Sequence, residues 1–260
     1  EILSGLVGSE MCIRDSVSVE LPIDVQAAEI DLPLDLSPVK AMQLPAVDET
    51  QVQLLVDQIK QAKRPVFWIG GGALNSVDEI KAIADLGIPV VSSTHGRGIL
   101  PDAHPRSLGA FHNSAKVEEL LKNADLLVVV GSRLRSNETK TYSVQFPENI
   151  IQIDANPVAQ QRNYKIRHFI CSDAKDILSR SLIQLNGVSK VDADYDQAIV
   201  DAKNAAVDAL RKQLDQYALI CDHLRAALPE DGIFVRDITM SGSTWGSRLF
   251  PVQAPNRNIH

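Results

Sequence analysis

Four short stretches carry the residue types from which a nucleotide or phosphate pocket is built. The first is a glycine run, Gly70, Gly71 and Gly72, followed by Ala73. The second is T-H-G-R-G, comprising Thr94, His95, Gly96, Arg97 and Gly98. The third is Gly131, Ser132 and Arg133, and the fourth is Asp154, Ala155 and Asn156 ahead of Pro157. Glycines let a backbone approach a ligand closely, while Arg97 and Arg133 could neutralise phosphate through two parallel hydrogen bonds. Asp154 could accept from a ribose hydroxyl or cap the next turn. Each stretch also has a plainer reading: a tight strand-to-helix turn, surface charges at Arg97 and Arg133, a solvated loop at His95. The glycine run reads G-G-G-A, not G-x-G-x-x-G, so the dinucleotide fingerprint is absent.

What would bring the four stretches together is a parallel sheet, because each follows an expected strand. Val66, Phe67, Trp68 and Ile69 form a short apolar run after Pro65, as a strand buried on both faces does. Further runs lie at 88–92, 125–131, 150–154 and 168–171, and 125–131 is an unbroken apolar stretch ended by glycine. Between them fall helical periods. One is Val52, Leu55, Val56 and Ile59; another starts at Ser76, with Glu79 at capping-box spacing; a third, capped by Asn113 or Ser114, carries Val117, Leu120 and Leu121; a fourth follows Asp173. Strands alternating with helices imply right-handed crossovers and covered faces, and ligands then bind at the carboxyl ends of the strands. The expected fold is α/β, a Rossmann-like parallel sheet with helices on both faces, followed by a truncated second α/β domain.

Composition narrows the functional classes. The 260 residues carry a net charge of −7 with no basic block, which disfavours nucleic acid as a partner. No apolar run is long enough for a membrane span. The three cysteines, Cys12, Cys171 and Cys221, lack metal or redox spacing and suit a reducing cytoplasm. The six histidines form no ligand cluster, so no protein-bound metal is expected. The R-S-N-E-T-K stretch over 135–140 reads as a solvated charged loop, and a pairing of Glu138 with His112 cannot be argued from spacing.

Residues 1–16 fit nothing downstream and resemble translated sequencing-adapter read-through, so they are expected to be non-native. A strand-like alternation then starts at Val17, and a proline-rich linker covers 22–47. The expected boundaries are 17–37 for the end of a preceding domain and its linker, 38–187 for the central Rossmann-like domain, 188–214 for a polar surface linker helix, and 215–260 for the start of a further domain. The chain is expected to be truncated at both ends.

In the order and spacing of these pieces the sequence resembles the thiamine diphosphate-dependent enzymes of the acetolactate synthase and benzoylformate decarboxylase type. Residues 17–25 resemble the closing strand of that family's pyrimidine-binding domain. Residues 64–73, 95–98, 124–133 and 151–154 resemble its central domain, and 219–245 the opening of its diphosphate-binding domain. The resemblance implies thiamine diphosphate and Mg²⁺ as cofactors, a 2-oxo acid substrate, cytoplasmic residence and a homodimer or homotetramer. It implies that FAD, ADP or nothing occupies the central site, on the four stretches already named. It places the cofactor diphosphate near Asp237, Thr239, Ser241 and Gly242, in a serine-rich loop closer to the benzoylformate decarboxylase version. The family's catalytic glutamate and its metal-binding G-D-G motif have no counterpart in the chain, so it is expected to be non-catalytic alone, with no catalytic or metal residue of its own. A stand-alone Rossmann-type nucleotide-binding or regulatory module is the other reading.

Overall fold

The computed structural model describes residues 22–29, 46–187, 191–237 and 239–259. The adapter-like segment at 1–16, the strand start at Val17 and most of the proline-rich linker lie outside the described residues. Residues 22–29 form their own short unit. Ile23–Gln26 is a single helical turn entered from Pro22, with no buried residue. The strand expected over 17–25 is therefore corrected at its described end: Ile23 and Val25 stand exposed on a helical turn.

The described residues from 46 onwards form one compact unit. In chain order they give α1 (Glu49–Gln61), β1 (Pro65–Ile69), α2 (Val77–Asp85), β2 (Val90–Ser92), β3 (Ser107–Gly109), α3 (Ala115–Lys122), β4 (Leu126–Val130), β5 (Ile150–Asp154), β6 (His168–Cys171) and α4 (Ala174–Leu185). The six strands make one sheet in the order β3-β2-β1-β4-β5-β6, parallel at every pairing. The chain winds outward from β1 to β3, returns to the centre at β4 and winds the other way. The reversal between β1 and β4 is the switch point at which such sheets bind ligands.

Because side chains alternate along a strand, each strand feeds two cores. Val66, Trp68, Leu127 and Val129 join one cluster with α3. Phe67, Ile69, Val128, Val130, Ile151 and Ile153 join the other, under α1, α2 and α4. This double burial explains why the strands read as continuous apolar runs. The Val52, Leu55, Val56 and Ile59 stripe is buried as its spacing predicts. Ser114 and Asp173 cap α3 and α4 by accepting from the amides of Val117 and Asp176.

Two expectations are revised, and one strand is new. The capping box at Ser76 does not form: its hydroxyl is buried without a partner, and Glu79 turns away to accept from the Ser179 hydroxyl at 2.8 Å. Strand β3 has no sequence signal, being three residues that follow a turn carrying Pro101 and Pro105. The polar helix after 191, α5 (Ala193–Leu214), is no surface linker, since Tyr195, Ile199, Ala202, Ala206, Leu210 and Leu214 are buried along it. Small alanines let it lie close against the sheet's α3 side, which a reading by polarity alone overlooks.

Beyond α5 come α6 (Tyr217–Ala227), β7 (Phe234–Val235), α7 (Met240–Ser243), α8 (Trp245–Arg248) and β8 (Asn258–Ile259). Trp245, Leu249, Phe250 and Val252 enter the same core cluster as Trp68 and Leu108. Phe234 stacks on Phe250, with ring centroids 4.4 Å apart.

Val129 sits on a strand paired on both sides, opposite Trp68 on β1 and Gln152 on β5, and is fully buried. Val129→Asp should abolish cooperative unfolding, because an unpaired carboxylate there costs on the order of 4 kcal/mol or more. A circular-dichroism melt that stayed cooperative would remove β4 from the centre of the sheet.

Candidate functional site

Backbone hydrogen bonding at the carboxyl edge gathers three of the four stretches. β1 runs into a 3₁₀ turn, Gly71–Ala73, and β4 into Gly131. Gly70 donates to the Val130 carbonyl at 2.8 Å and Gly72 to the Gly131 carbonyl at 3.0 Å. Gly131 has φ of +57°, and a Cβ there would lie 2.5 Å from Gly72 backbone atoms. Ser93, at the end of β2, donates to the Ile69 carbonyl at 2.8 Å, which seats the 3₁₀ turn Thr94–Gly96 beside the glycine run. Three of the four strand-end stretches thus meet at one edge of the sheet.

The glycines serve loop packing more than ligand access. The amides of Gly70, Gly72 and Ala73 all donate within the protein, so these three do not form an open phosphate cradle. Gly98, at φ of +84°, leaves room for the Ala254 carbonyl, which a Cβ would overlap. Arg97 departs furthest from its expected role. It is 4% exposed, and its guanidinium donates to Asp102 at 2.5 Å, to the Phe250 carbonyl at 2.6 Å and to the Gly246 carbonyl at 3.3 Å. It ties the β2 edge to α8 and the segment after it. Its Nε is buried and without a partner, so the guanidinium does not reach the open edge.

On the β5 side, Asp154 caps the following turn, its Oδ1 accepting from the Asn156 amide at 2.9 Å. Burial pushes its carboxyl upward, against the pull of that amide and of Arg133. Asn156 in turn caps the 3₁₀ turn Pro157–Ala159, with Ala155 half-buried between them. Ser132 is buried and its carbonyl accepts from Gln152. His95 stands at the surface, where neighbouring atoms and then Arg135 hold its imidazole below the usual range.

The loop after β7 is closed on itself. Thr239 Oγ1 accepts from the Gly242 amide at 3.3 Å, and Ser243 Oγ donates to the Thr239 carbonyl at 2.7 Å. Gly242 is required, since a Cβ would overlap the Asp237 carbonyl. Arg236 donates to the Gly242 carbonyl and to Asn258. Ser241 falls within α7.

A second feature was not legible as a site. Thr94, Ala110, His112, Asn137, Glu138, Arg236, Ser243, Ser247 and Arg248 line one cavity of about 360 Å³ between the β2 edge and α7–α8. His112 is buried, with Nδ1 3.3 Å from the Ser92 carbonyl and its ring 5.2 Å from that of Trp68. Burial, then the nearby Arg248, lowers it from 6.5 to about 4. Glu138 and Thr139 are buried, which corrects the reading of 135–140 as wholly solvated. The residues lie in four separate segments, so spacing carried no signal for them. Among the described residues no cluster of His, Cys, Asp and Glu could hold a metal, and no helix is long and apolar enough to cross a membrane.

The family model for the central domain of thiamine pyrophosphate enzymes matches residues 52–181, from α1 into α4. The chain is 25% identical over 249 residues to the acetolactate synthase isozyme 1 large subunit of Escherichia coli (strain K12), covering 93% of this chain and 43% of that protein. It is 30% identical over 188 residues to the acetolactate synthase large subunit of Corynebacterium glutamicum, covering 68% and 30%. It is 25% identical over 267 residues to the probable 2-ketoarginine decarboxylase of Pseudomonas aeruginosa, covering 100% and 47%. The chain thus spans less than half the length of each of these relatives.

Two outcomes follow from this geometry. Arg97→Met should cost about 3 kcal/mol or more in urea unfolding, since it strands Asp102 and two carbonyls. A variant as stable as its parent would return Arg97 to ligand binding. His112 binds its proton less readily folded than unfolded, so the unfolded chain takes up more protons between pH 6.5 and 4. Stability from this group is full above about pH 6.5, falls by up to about 1.4 kcal/mol per pH unit, and levels off near pH 4. Comparing parent and His112→Asn melts across that range isolates the effect, and superimposable pH profiles would count against it.

Proposed function

The chain belongs to the thiamine pyrophosphate enzymes, carrying their central domain, and from that premise we propose that it serves in an enzyme that cleaves or forms a bond next to the carbonyl of a 2-oxo acid. The observation that supports this most directly is the coincidence of the family match with the six-stranded unit. The names of the relatives, two acetolactate synthases and one 2-oxo acid decarboxylase, favour carboligation or decarboxylation. Membership of the family sets this reading above the stand-alone nucleotide module. On it, the whole protein is a homodimer or homotetramer that requires thiamine diphosphate and Mg²⁺, and this chain alone is inactive.

The residues of this chain do not by themselves fit thiamine diphosphate. In the loop at 237–243 the Gly242 amide and the Ser243 hydroxyl are engaged within the loop, and no metal cluster accompanies it among the described residues. The role of this chain is therefore a scaffold that holds the loop against the sheet, through the Arg97 contacts with Gly246 and Phe250. For FAD or ADP at the carboxyl edge, Arg133, Asp154 and the surface of the 94–96 turn supply the polar contacts, because three amides of the glycine run are already engaged.

Calorimetry on the 260-residue chain should give no thiamine diphosphate binding in the micromolar range with Mg²⁺ present. The complete gene product should turn over 2-oxo acids only with both cofactors. Turnover that survives their removal would sink the functional reading, and micromolar binding to this chain would sink the scaffold role. A visible flavin band in the purified product, or an ADP isotherm lost in Arg133→Met, decides what the central edge carries.

A further inference from the structure

A separate cavity of about 350 Å³ lies where the turn before β3, helix α5 and the chain around α8 meet. Its apolar walls are Leu108, Phe111, Val207, Leu249 and Pro251. Leu108, Phe111 and Leu249 are buried in one core cluster, and Val207 packs against it. The polar part of the lining is cationic. Lys203 and Arg211 flank Val207 at four-residue spacing on one face of α5, Arg248 comes from α8, and Asp102 is the one carboxylate among them. Asp102 is held by Arg97 and by the Val252 amide. Lys203 donates to the carbonyls of Asp102 and His104, and Arg211 forms a two-pronged pair with Asp222. Arg248 is half-buried and has no hydrogen-bond or ion-pair partner among the described residues. Burial holds its guanidinium below the usual range. A cation drawn out of water without an anion is costly, and here it borders an apolar space whose volume lies within the range of small-molecule sites, roughly 300–1,000 Å³.

We infer that this cavity binds a small amphipathic monocarboxylate, with its alkyl or aryl body against Leu108, Phe111 and Val207 and its carboxylate on Arg248. One uncommitted cation calls for one negative charge, since Lys203 and Arg211 are already engaged. The planar fork of a guanidinium matches a carboxylate through two parallel N–H···O bonds. The same cations repel an amine of equal length, and the apolar walls disfavour a second charge on the tail. The inference does not rest on the 2-oxo acid reading, because the walls select the tail and no reacting carbonyl is required. The walls come from stretches far apart in the chain, so an occupant ties α5 and the α8 segment to the β3 edge and stabilises the folded unit.

The test is calorimetry on the 260-residue chain with butanoate, hexanoate, octanoate, octylamine and 2-oxooctanoate. Affinity should climb along the three plain acids by about four-fold per added methylene while the tail still gains wall contact. Octylamine should bind at least about ten-fold more weakly than octanoate, and 2-oxooctanoate no more tightly than octanoate. Octanoate should also raise the melting temperature in step with its concentration. Arg248→Met should weaken octanoate about ten-fold and bring it level with octylamine. Arg248→Lys, which keeps the charge without the fork, should fall between, and it carries the test if the methionine variant melts early. Ala103 is exposed at the rim of the cavity, so Ala103→Trp should block octanoate while leaving the ligand-free melt in place. Arg248 also borders the cavity that contains His112. Full binding to Ala103→Trp would put the anion there and overturn the inference. So would absent binding, a flat series, octylamine equal to octanoate, or octanoate unmoved by both Arg248 variants. A ten-fold preference for 2-oxooctanoate would make this a substrate site and overturn it too, whereas the other failures leave the 2-oxo acid reading standing.

Discussion

Backbone meets backbone where the sheet reverses, and the whole carboxyl edge depends on that contact. Gly131 leaves β4 with positive φ and lies against Gly72, while Gly70 donates to the last carbonyl of β4. Neither glycine face has room for a Cβ. With the two loops pressed together, Ser132 is buried and the chain after it turns back across the sheet, carrying Arg133, Asn137 and Glu138 to their places. A methyl group at either glycine would part β1 and β4 at their ends and move everything they carry. In this protein the glycine-rich turn acts first as a joint between strands.

Most of the fold could be read in the chain, because its strands are covered on both faces. Residues such as Val66, Phe67, Val128 and Ile153 are apolar whichever core they enter, so the runs stand out without a period. Strand β3 could not be read, since Ser107, Leu108 and Gly109 owe their state to pairing with β2. The strand-end loops were legible as a group, because topology brings strand ends together whatever their side chains do. The direction of each side chain was not. Arg97 and Arg133 look alike in sequence; one turns inward to Asp102 and two carbonyls, the other stays at the edge. The cavity lining comes from segments far apart in the chain, and nothing local marks Glu138 as buried.

Arg97 gives the segment after α5 its hold on the sheet. A guanidinium keeps its charge at any ordinary pH and offers donors in a rigid fork, so it can bridge Asp102 to the carbonyls of Gly246 and Phe250 without titrating. Asp102 also accepts from the Val252 amide at 2.8 Å, which extends the bridge along the chain. Trp245, Phe250 and Phe234 then stack over the core that β2 and β3 border.

The pair formed by β7 and β8 stands apart from the main sheet in its surface chemistry. It is parallel and two-stranded, with Phe234 opposite Asn258 and Val235 opposite Ile259. Val235, Ile259 and the preceding Ile233 are exposed. Two strands leave an open row of amides and carbonyls on each side, and apolar side chains around such a row make it a template for another chain's strand. Charges stand at both ends of the pair, Arg236 and Asp237 after β7 and Arg257 before β8. Arg236 is drawn to Asn258 and the Gly242 carbonyl and Arg257 to the Asp231 carbonyl, so both charges are held close to the pair they flank. Association in concentrated solution or high salt would then turn on Ile233, Val235 and Ile259, which belong to neither core cluster.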